Sequence, residues 1–310
     1  MGRRFHSCGP SIALALLGLT ACGGKSSPNS ASPPVVQHLY VASDNSPGQI
    51  LQYSLPITSA SVPALSLVNA ATPSLVALAL DSSGNLATGD NAGNLAFYAG
   101  PVTGSTSVSA TFKNGTATND GQLFFNSAGD LFAPTTGNKV NVFTHPLTSS
   151  STPFLVVTDP GLTSSTGALL DSGGNLIIAN NPGSTSNLLV FPTPSSGATV
   201  TTPAQASSAY RKMAVSGSQL FVTNVAGTLG RIDVYNLPLT SSSGPAFSIT
   251  SGINTPEAIA FDASGNMYIG NLTDASITVF VPPFSAASTS TVKLTVSTGA
   301  FSLFGIAIGK

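Results

Sequence analysis

The chain has 310 residues, of which 42% are hydrophobic and only 7% charged, with 31 Gly, 22 Pro, no Trp, two Cys and a formal net charge of −1. Soluble proteins carry about 25% charged residues, so this chain is starved of charge. Its apolar content excludes global disorder, its neutral balance without a Lys/Arg cluster beyond the N-terminus excludes a basic nucleic-acid binder, and its Cys count excludes a disulfide framework.

The N-terminus reads as an address. Gly2-Arg3-Arg4 is a short positive region, and Ser11 to Leu19 (SIALALLGL) is an apolar run. That run is too short for a helix that needs roughly 20 residues to span a bilayer. It leads into Leu19-Thr20-Ala21-Cys22, followed by Gly23-Gly24. The segment resembles the lipobox of bacterial lipoproteins. By that resemblance residues 1–21 are a signal peptide, and the Cys22 thiol takes the lipid and becomes the first mature residue. Gly23 resembles the outer-membrane sorting pattern of Gram-negative lipoproteins. The implied location is the bacterial cell envelope, at the periplasmic or surface face of the outer membrane. Acyl chains contribute about 0.8 kcal/mol per buried CH₂, and several on one Cys anchor a protein stably. Cys8 falls inside the signal, so the mature chain has Cys22 alone and forms no internal disulfide; its balance is Lys+Arg 8 against Asp+Glu 11. Residues 23–36 (GGKSSPNSASPPVV) cannot bury a core. With Cys22 they read as a flexible tether.

From residue 37 onward a repeat takes over. Six times an aromatic residue stands three positions before a Pro: Tyr53, Tyr98, Phe143, Phe191, Tyr235 and Phe280, spaced by 45, 45, 48, 44 and 45. A second element keeps step with it: LALDSSGNL at 78–86, LFFNSAGDL at 123–131, ALLDSGGNL at 168–176, MAVSGSQL at 213–220 and AIAFDASGNM at 258–267. Each is an apolar run, a turn rich in Asp, Ser and Gly, and another apolar run, which is two strands joined by a tight turn. A period of 40–50 residues with several strands per unit means a β-propeller.

The last unit parses completely. Strand A is Glu257–Phe261, the turn Asp262–Asn266, strand B Met267–Gly270, strand C Ile277–Val281 and strand D Thr291–Val296. Lys293 and Lys113 sit on outermost strands, where Lys discourages edge pairing. The first unit starts at His38-Leu-Tyr-Val41, which matches strand B and lacks a strand A. The chain closes with Phe304–Gly309, which matches strand A. The expectation is therefore an all-β, six-bladed propeller over 37–310. Its blades are four-stranded, the C-terminal strand completes blade 1, and the ring is monomeric.

The pattern resembles NHL-repeat propellers and the related gluconolactonase/regucalcin group. Pro256-Glu-Ala-Ile-Ala-Phe-Asp262, Gly265-Asn266, Met267-Tyr-Ile-Gly-Asn271 and Arg231-Ile-Asp-Val-Tyr235 carry the likeness. NHL blades usually keep an Arg before strand C, and only Arg231 does so here. The lactonase group implies a metal site of a Glu, two Asn-type ligands and an Asp near the channel. This chain has a single Glu, Glu257.

Strand A starts and strand B ends at one face, around the mouth of the central channel. That places Glu257 there, with Arg211 at the matching position of blade 5 and Tyr210 and Lys212 beside it. Strand B ends contribute Ser43, Asp90, Thr135, Asn180, Asn224 and Asn271. Such a ring of oxygen-bearing groups suits a hard cation or a sugar-like ligand, while Asn and Asp equally cap strand ends and turns. Asp81, Asp171 and Asp262 face the opposite end and read as Asx-turn residues. The mature histidines His38 and His145 lie in different blades, which argues against a His-based metal site.

Two functions follow as expectations. One is a lipid-anchored binding or scaffold module for a protein, glycan or small ligand. The other is a metal-assisted lactone or ester hydrolase, with Glu257 as the catalytic candidate, Asn180, Asn224, Asn271 and Asp90 as ligands, and a divalent cation as cofactor.

Overall fold

Period-two alternation and Asp/Gly turns fold each repeat into an antiparallel meander. A computed structural model describes residues 36–43, 47–69, 74–115, 121–135, 137–192, 197–296 and 303–310. The signal, lipidation and tether readings at residues 1–35, Cys22 among them, lie outside the described residues. The strands are β1 (His38–Ser43), β2 (Gly48–Ser54), β3 (Leu65–Asn69), β4 (Leu75–Leu80), β5 (Leu86–Asp90), β6 (Asn94–Tyr98), β7 (Ala110–Lys113), β8 (Phe124–Phe125), β9 (Leu131–Pro134), β10 (Lys139–Phe143), β11 (Leu155–Thr158), β12 (Ser165–Leu170) and β13 (Leu176–Asn180). They continue as β14 (Thr185–Phe191), β15 (Val200–Thr201), β16 (Gln205–Ala206), β17 (Tyr210–Ser216), β18 (Gln219–Asn224), β19 (Arg231–Asn236), β20 (Phe247–Ile249), β21 (Pro256–Phe261), β22 (Met267–Asn271), β23 (Ser276–Phe280), β24 (Val292–Thr295) and β25 (Leu303–Gly309).

They form six sheets, the blades of an all-β propeller. From the axis outward, blade 1 is β25-β1-β2-β3, blade 2 β4-β5-β6-β7, blade 3 β8-β9-β10-β11, blade 5 β17-β18-β19-β20 and blade 6 β21-β22-β23-β24. Blade 4 is β12-β13-β14 with a broken outer edge, since β15 and β16 both pair with β14. The closing strand is where the sequence places it: β25 runs antiparallel to β1, with Leu39 opposite Ile308 and Val41 opposite Ile306. Inner strands touch in ring order, β25 beside β4 and β21, and β17 beside β12 and β21.

The core is six wedges, one between each pair of adjacent blades. Each wedge holds one aromatic of the repeat, packed on the preceding blade: Tyr53, Tyr98, Phe143, Phe191, Tyr235 and Phe280. None is more than 2% exposed. The Pro that follows is preceded by a cis bond at Leu55-Pro56, Gly100-Pro101, His145-Pro146, Leu237-Pro238 and Pro282-Pro283.

At the axis the strands need small residues. Ala77, Gly167, Ala258 and Gly305 occupy equivalent places on their inner strands. A Cβ on Gly167 would lie 2.7 Å from the Arg211 carbonyl oxygen, and one on Gly305 3.1 Å from the Leu78 amide nitrogen. At the hairpin end of each inner strand, side chains lock the turn. Asp81 accepts from the Ser83 and Asn85 amides at 2.8 and 2.9 Å. Asp171 and Asp262 repeat the pattern. In blade 3 the roles swap: Asn126 accepts from the Ala128 and Asp130 amides, and its own amide donates to Asp130.

All six tyrosines (Tyr40, Tyr53, Tyr98, Tyr210, Tyr235 and Tyr268) are buried. Burial raises the pKa of each; for Tyr53 and Tyr235 it reaches about 12. The folded state therefore holds these protons more tightly than the unfolded chain, whose tyrosines titrate near 10.0. The sign follows: this stability is complete below pH 10 and is lost as pH rises through the folded values, at about 1.4 kcal/mol per pH unit for each tyrosine still protonated. Tyrosinate absorbance should stay flat past pH 10 and then rise in one cooperative unfolding step. A gradual titration of native protein would contradict this.

Candidate functional site

The end of the disc where inner strands begin is built on β-bulges. Leu75 faces Asp90 and Ala77 faces Gly89, which leaves Val76 as an extra residue. Thr166 in blade 4 and Glu257 in blade 6 are extra in the same way. In blade 5 the register passes from Tyr210–Asn224 to Met213–Val222, with Arg211 and Lys212 between. Bulges re-aim side chains, and they are common beside functional sites.

This re-aiming brings Arg211 and Glu257 together from neighbouring blades. Arg211 Nε lies 3.5 Å from Glu257 Oε1, with the carboxylate side chain 9% exposed and the arginine 33%. The pairing offsets part of the cost of burying the carboxylate.

The strand-end amides are used by the scaffold. Asn180 Oδ1 accepts from the Thr163 and Ser164 amides, both at 3.0 Å, and its Nδ2 donates to Gly161 O and Asn187 Oδ1. Asn224 Oδ1 accepts from the Ala209 and Ala226 amides, and its Nδ2 donates to Asp233 at 2.7 Å. Asn271 Oδ1 accepts from the Asn254 amide, and its Nδ2 donates to Ser276 and Thr278. In each case one side chain staples three things: the loop before the inner strand, the end of the second strand, and the third strand. Asp90 is spent within its own hairpin, accepting from the Ala92 and Asn94 amides at 2.9 and 2.7 Å and from the Asn94 side chain. Thr135 accepts from the Gly137 amide. The ring expected from sequence exists as a set of positions, but the oxygens of Asp90, Thr135, Asn180, Asn224 and Asn271 face backbone N–H groups of their own blades.

Tyr210 is not at the mouth. It is fully buried in the wedge between blades 4 and 5. Its hydroxyl bonds that of Tyr235, and the rings meet edge-on at 6.4 Å. It stands just before the bulge, at the position of Leu75, Ser165 and Pro256 in the other blades, and faces the neighbouring blade rather than the axis.

Sequence reading overlooked Asp233 and Gln122, and noted Lys212 only as a neighbour of Arg211. Asp233, 1% exposed, gathers Arg231 at 2.8 Å, Ser248 at 2.6 Å and Asn224 into one buried polar cluster. Gln122 and Lys212 stand at the inner-strand position that is Ala or Gly in the other blades. The Gln122 side-chain amide imitates a peptide: its nitrogen donates to Met213 O and its oxygen accepts from the Met213 amide, both at 2.7 Å. Lys212, 5% exposed, reaches from blade 5 to blade 2, opposite it in the ring, where Nζ lies 3.4 Å from Val76 O. Together they close this end of the channel. Two long polar residues at an otherwise Ala/Gly position were the available signal.

Among the described residues no group of three or more His, Cys, Asp or Glu side chains is placed to hold a metal ion. No protein-family model and no curated protein matches the chain. Solved structures do match its fold. The periplasmic gluconolactonase of Pseudomonas aeruginosa is 16% identical at TM-score 0.60, covering 88% of this chain and 85% of that one. A protein of unknown function from Bacteroides caccae is 10% identical at TM-score 0.62, covering 89% and 100%. The β-propeller domain of Cps50 from Myceliophteria thermophila is 13% identical at TM-score 0.56, covering 83% of each chain. At these identities the likeness is one of fold.

If the asparagines are staples, replacing Asn180, Asn224 or Asn271 by Ala should each cost about 1–3 kcal/mol, because buried N–H groups are stranded. Urea midpoints should drop with the slope unchanged. Variants as stable as the parent would return these residues to the ligand reading.

Proposed function

We propose that the chain is a lipid-anchored binding module of the bacterial cell envelope, held at the outer membrane through Cys22, and that its propeller takes an anionic glycan. One observation carries the ligand class. A groove of about 620 Å³ runs along the outer seam between blades 2 and 3, within the roughly 300–1,000 Å³ of ligand sites. Ser149, Ser150, Ser151 and Thr152 line one end, and Lys113 and Lys139 the other. Thr111 ties the walls together through its amide, which donates to Ser149 Oγ at 3.4 Å. No carboxylate occurs among the described lining residues. In a chain with so few charges, two lysines facing one hydroxyl-rich groove are complementary to an acidic sugar. Val156 lines the groove, and Phe154, 60% exposed, stands two residues before it, immediately ahead of β11 and next to the lining residue Pro153. That ring offers an apolar sugar face a place to stack.

A second reading, a metal-assisted lactone or ester hydrolase, draws on the fold likeness to the Pseudomonas aeruginosa gluconolactonase and on Glu257. It asks Asn180, Asn224 and Asn271 to release backbone N–H groups before they could ligate a cation, which makes it the weaker reading.

Titration calorimetry of the full chain with oligouronates should show binding that the Lys113→Ala/Lys139→Ala double variant weakens at least tenfold. Silence with uronate and sulfated oligosaccharides would sink the groove reading. Lactone hydrolysis lost in Glu257→Gln would install the hydrolase instead. For the anchor, Cys22→Ser should move the protein from the membrane fraction to the soluble one, and continued sedimentation with membranes would overturn lipidation at that residue.

A further inference from the structure

Every blade carries an apolar residue at or one before the end of its inner strand: Ile308, Leu80, Phe125, Leu170, Val215 and Phe261 in ring order. The positions are equivalent, since each pairs with the first apolar residue of the adjoining strand: Leu39, Leu86, Leu131, Leu176, Leu220 and Met267. All six line one cavity of about 380 Å³ on the propeller axis. All but Phe125 keep part of their surface exposed. The mouth of this cavity lies at the hairpin end, opposite the bulges.

The cavity has a polar floor. Gln122 and Lys212 are the polar side chains in its lining, and they are the pair that closes the far end. Lys212 is the cationic side chain of that lining, while Arg211 and Glu257 pair with each other at the bulge level outside it. Between floor and rim the inner strands pair on one side only, so the walls combine apolar side chains with backbone edges. A ring of exposed apolar groups around a concavity marks a ligand site more often than chance exposure does. The chemistry is graded, from cationic at the closed end to aliphatic at the open end.

We propose that the channel binds a medium-chain aliphatic carboxylate, its head at the Lys212 end and its tail among Leu80, Leu170, Phe261 and Ile308. A neutral apolar molecule would match the rim and ignore the floor. A short hydrophilic acid would match the floor and ignore the rim. The amphiphile satisfies both. This site is separate from the groove between blades 2 and 3, and the failure of either leaves the other standing.

Calorimetry of the full chain with decanoate and decan-1-ol, both below the concentrations at which they aggregate, tests it. Decanoate should bind one per chain and at least tenfold tighter than the alcohol. Lys212→Met should erase that preference, while Lys212→Arg retains it. Leu170→Asp, at the partly exposed rim, should weaken both ligands at least tenfold with an unchanged circular dichroism spectrum. Equal affinity for acid and alcohol in the parent, a comparison that needs no variant, would overturn the assignment of the head to Lys212. Binding of neither compound would overturn the site.

Discussion

A single blade of this protein is a sheet with two apolar faces and no partner of its own, and the structure depends on that incompleteness. Each face is buried only when the next blade arrives, and the sixth is satisfied only when the ring closes. The aromatic residue three positions before each Pro is the recurring piece. It leaves the end of a third strand and fills the wedge against the preceding blade, six times over. Repeat proteins gain stability through such neighbour interfaces rather than within units. β25 pairing with β1 closes the ring through the same antiparallel hydrogen bonding that holds the strands of the other blades.

Crowding at the axis follows from the same closure. Six inner strands converge with small residues at four of their first inward positions, Ala77, Gly167, Ala258 and Gly305. Smallness leaves a hole, and blades 3 and 5 fill it with Gln122 and Lys212. The bulges at the same level turn the next side chains away from their own ladders, which is how Arg211 and Glu257 come to face each other across two blades. The channel is therefore capped by polar groups at one end and rimmed by apolar ones at the other.

The fold was almost wholly legible in the sequence, because its determinants are periodic: the aromatic-to-Pro interval, the Asp–Gly hairpins, and the mismatch between a first unit lacking an inner strand and a final stretch resembling one. The site was legible only as a set of positions. Asn180, Asn224 and Asn271 stand at the expected strand ends, yet an asparagine that caps a turn and one that binds a ligand are the same residue in sequence. The difference lies in which N–H its oxygen meets, and that is fixed by loops folded from distant residues. Tyr210 was misplaced for a different reason. The bulge after it inserts one extra residue, as in blades 2, 4 and 6, so simple alternation along the strand does not say which side chain reaches the axis.

The hairpin turns carry a further consequence. In blades 2, 4 and 6 an Asp opens the turn and an Asn closes it, whereas in blade 3 Asn126 opens and Asp130 closes. The bonds are alike in both versions, because an amide and a carboxylate of equal shape have exchanged places. A negative charge can thus hop four residues along the rim with the backbone unmoved. Surface potential on that face is free to drift, or to be selected, independently of the fold that displays it.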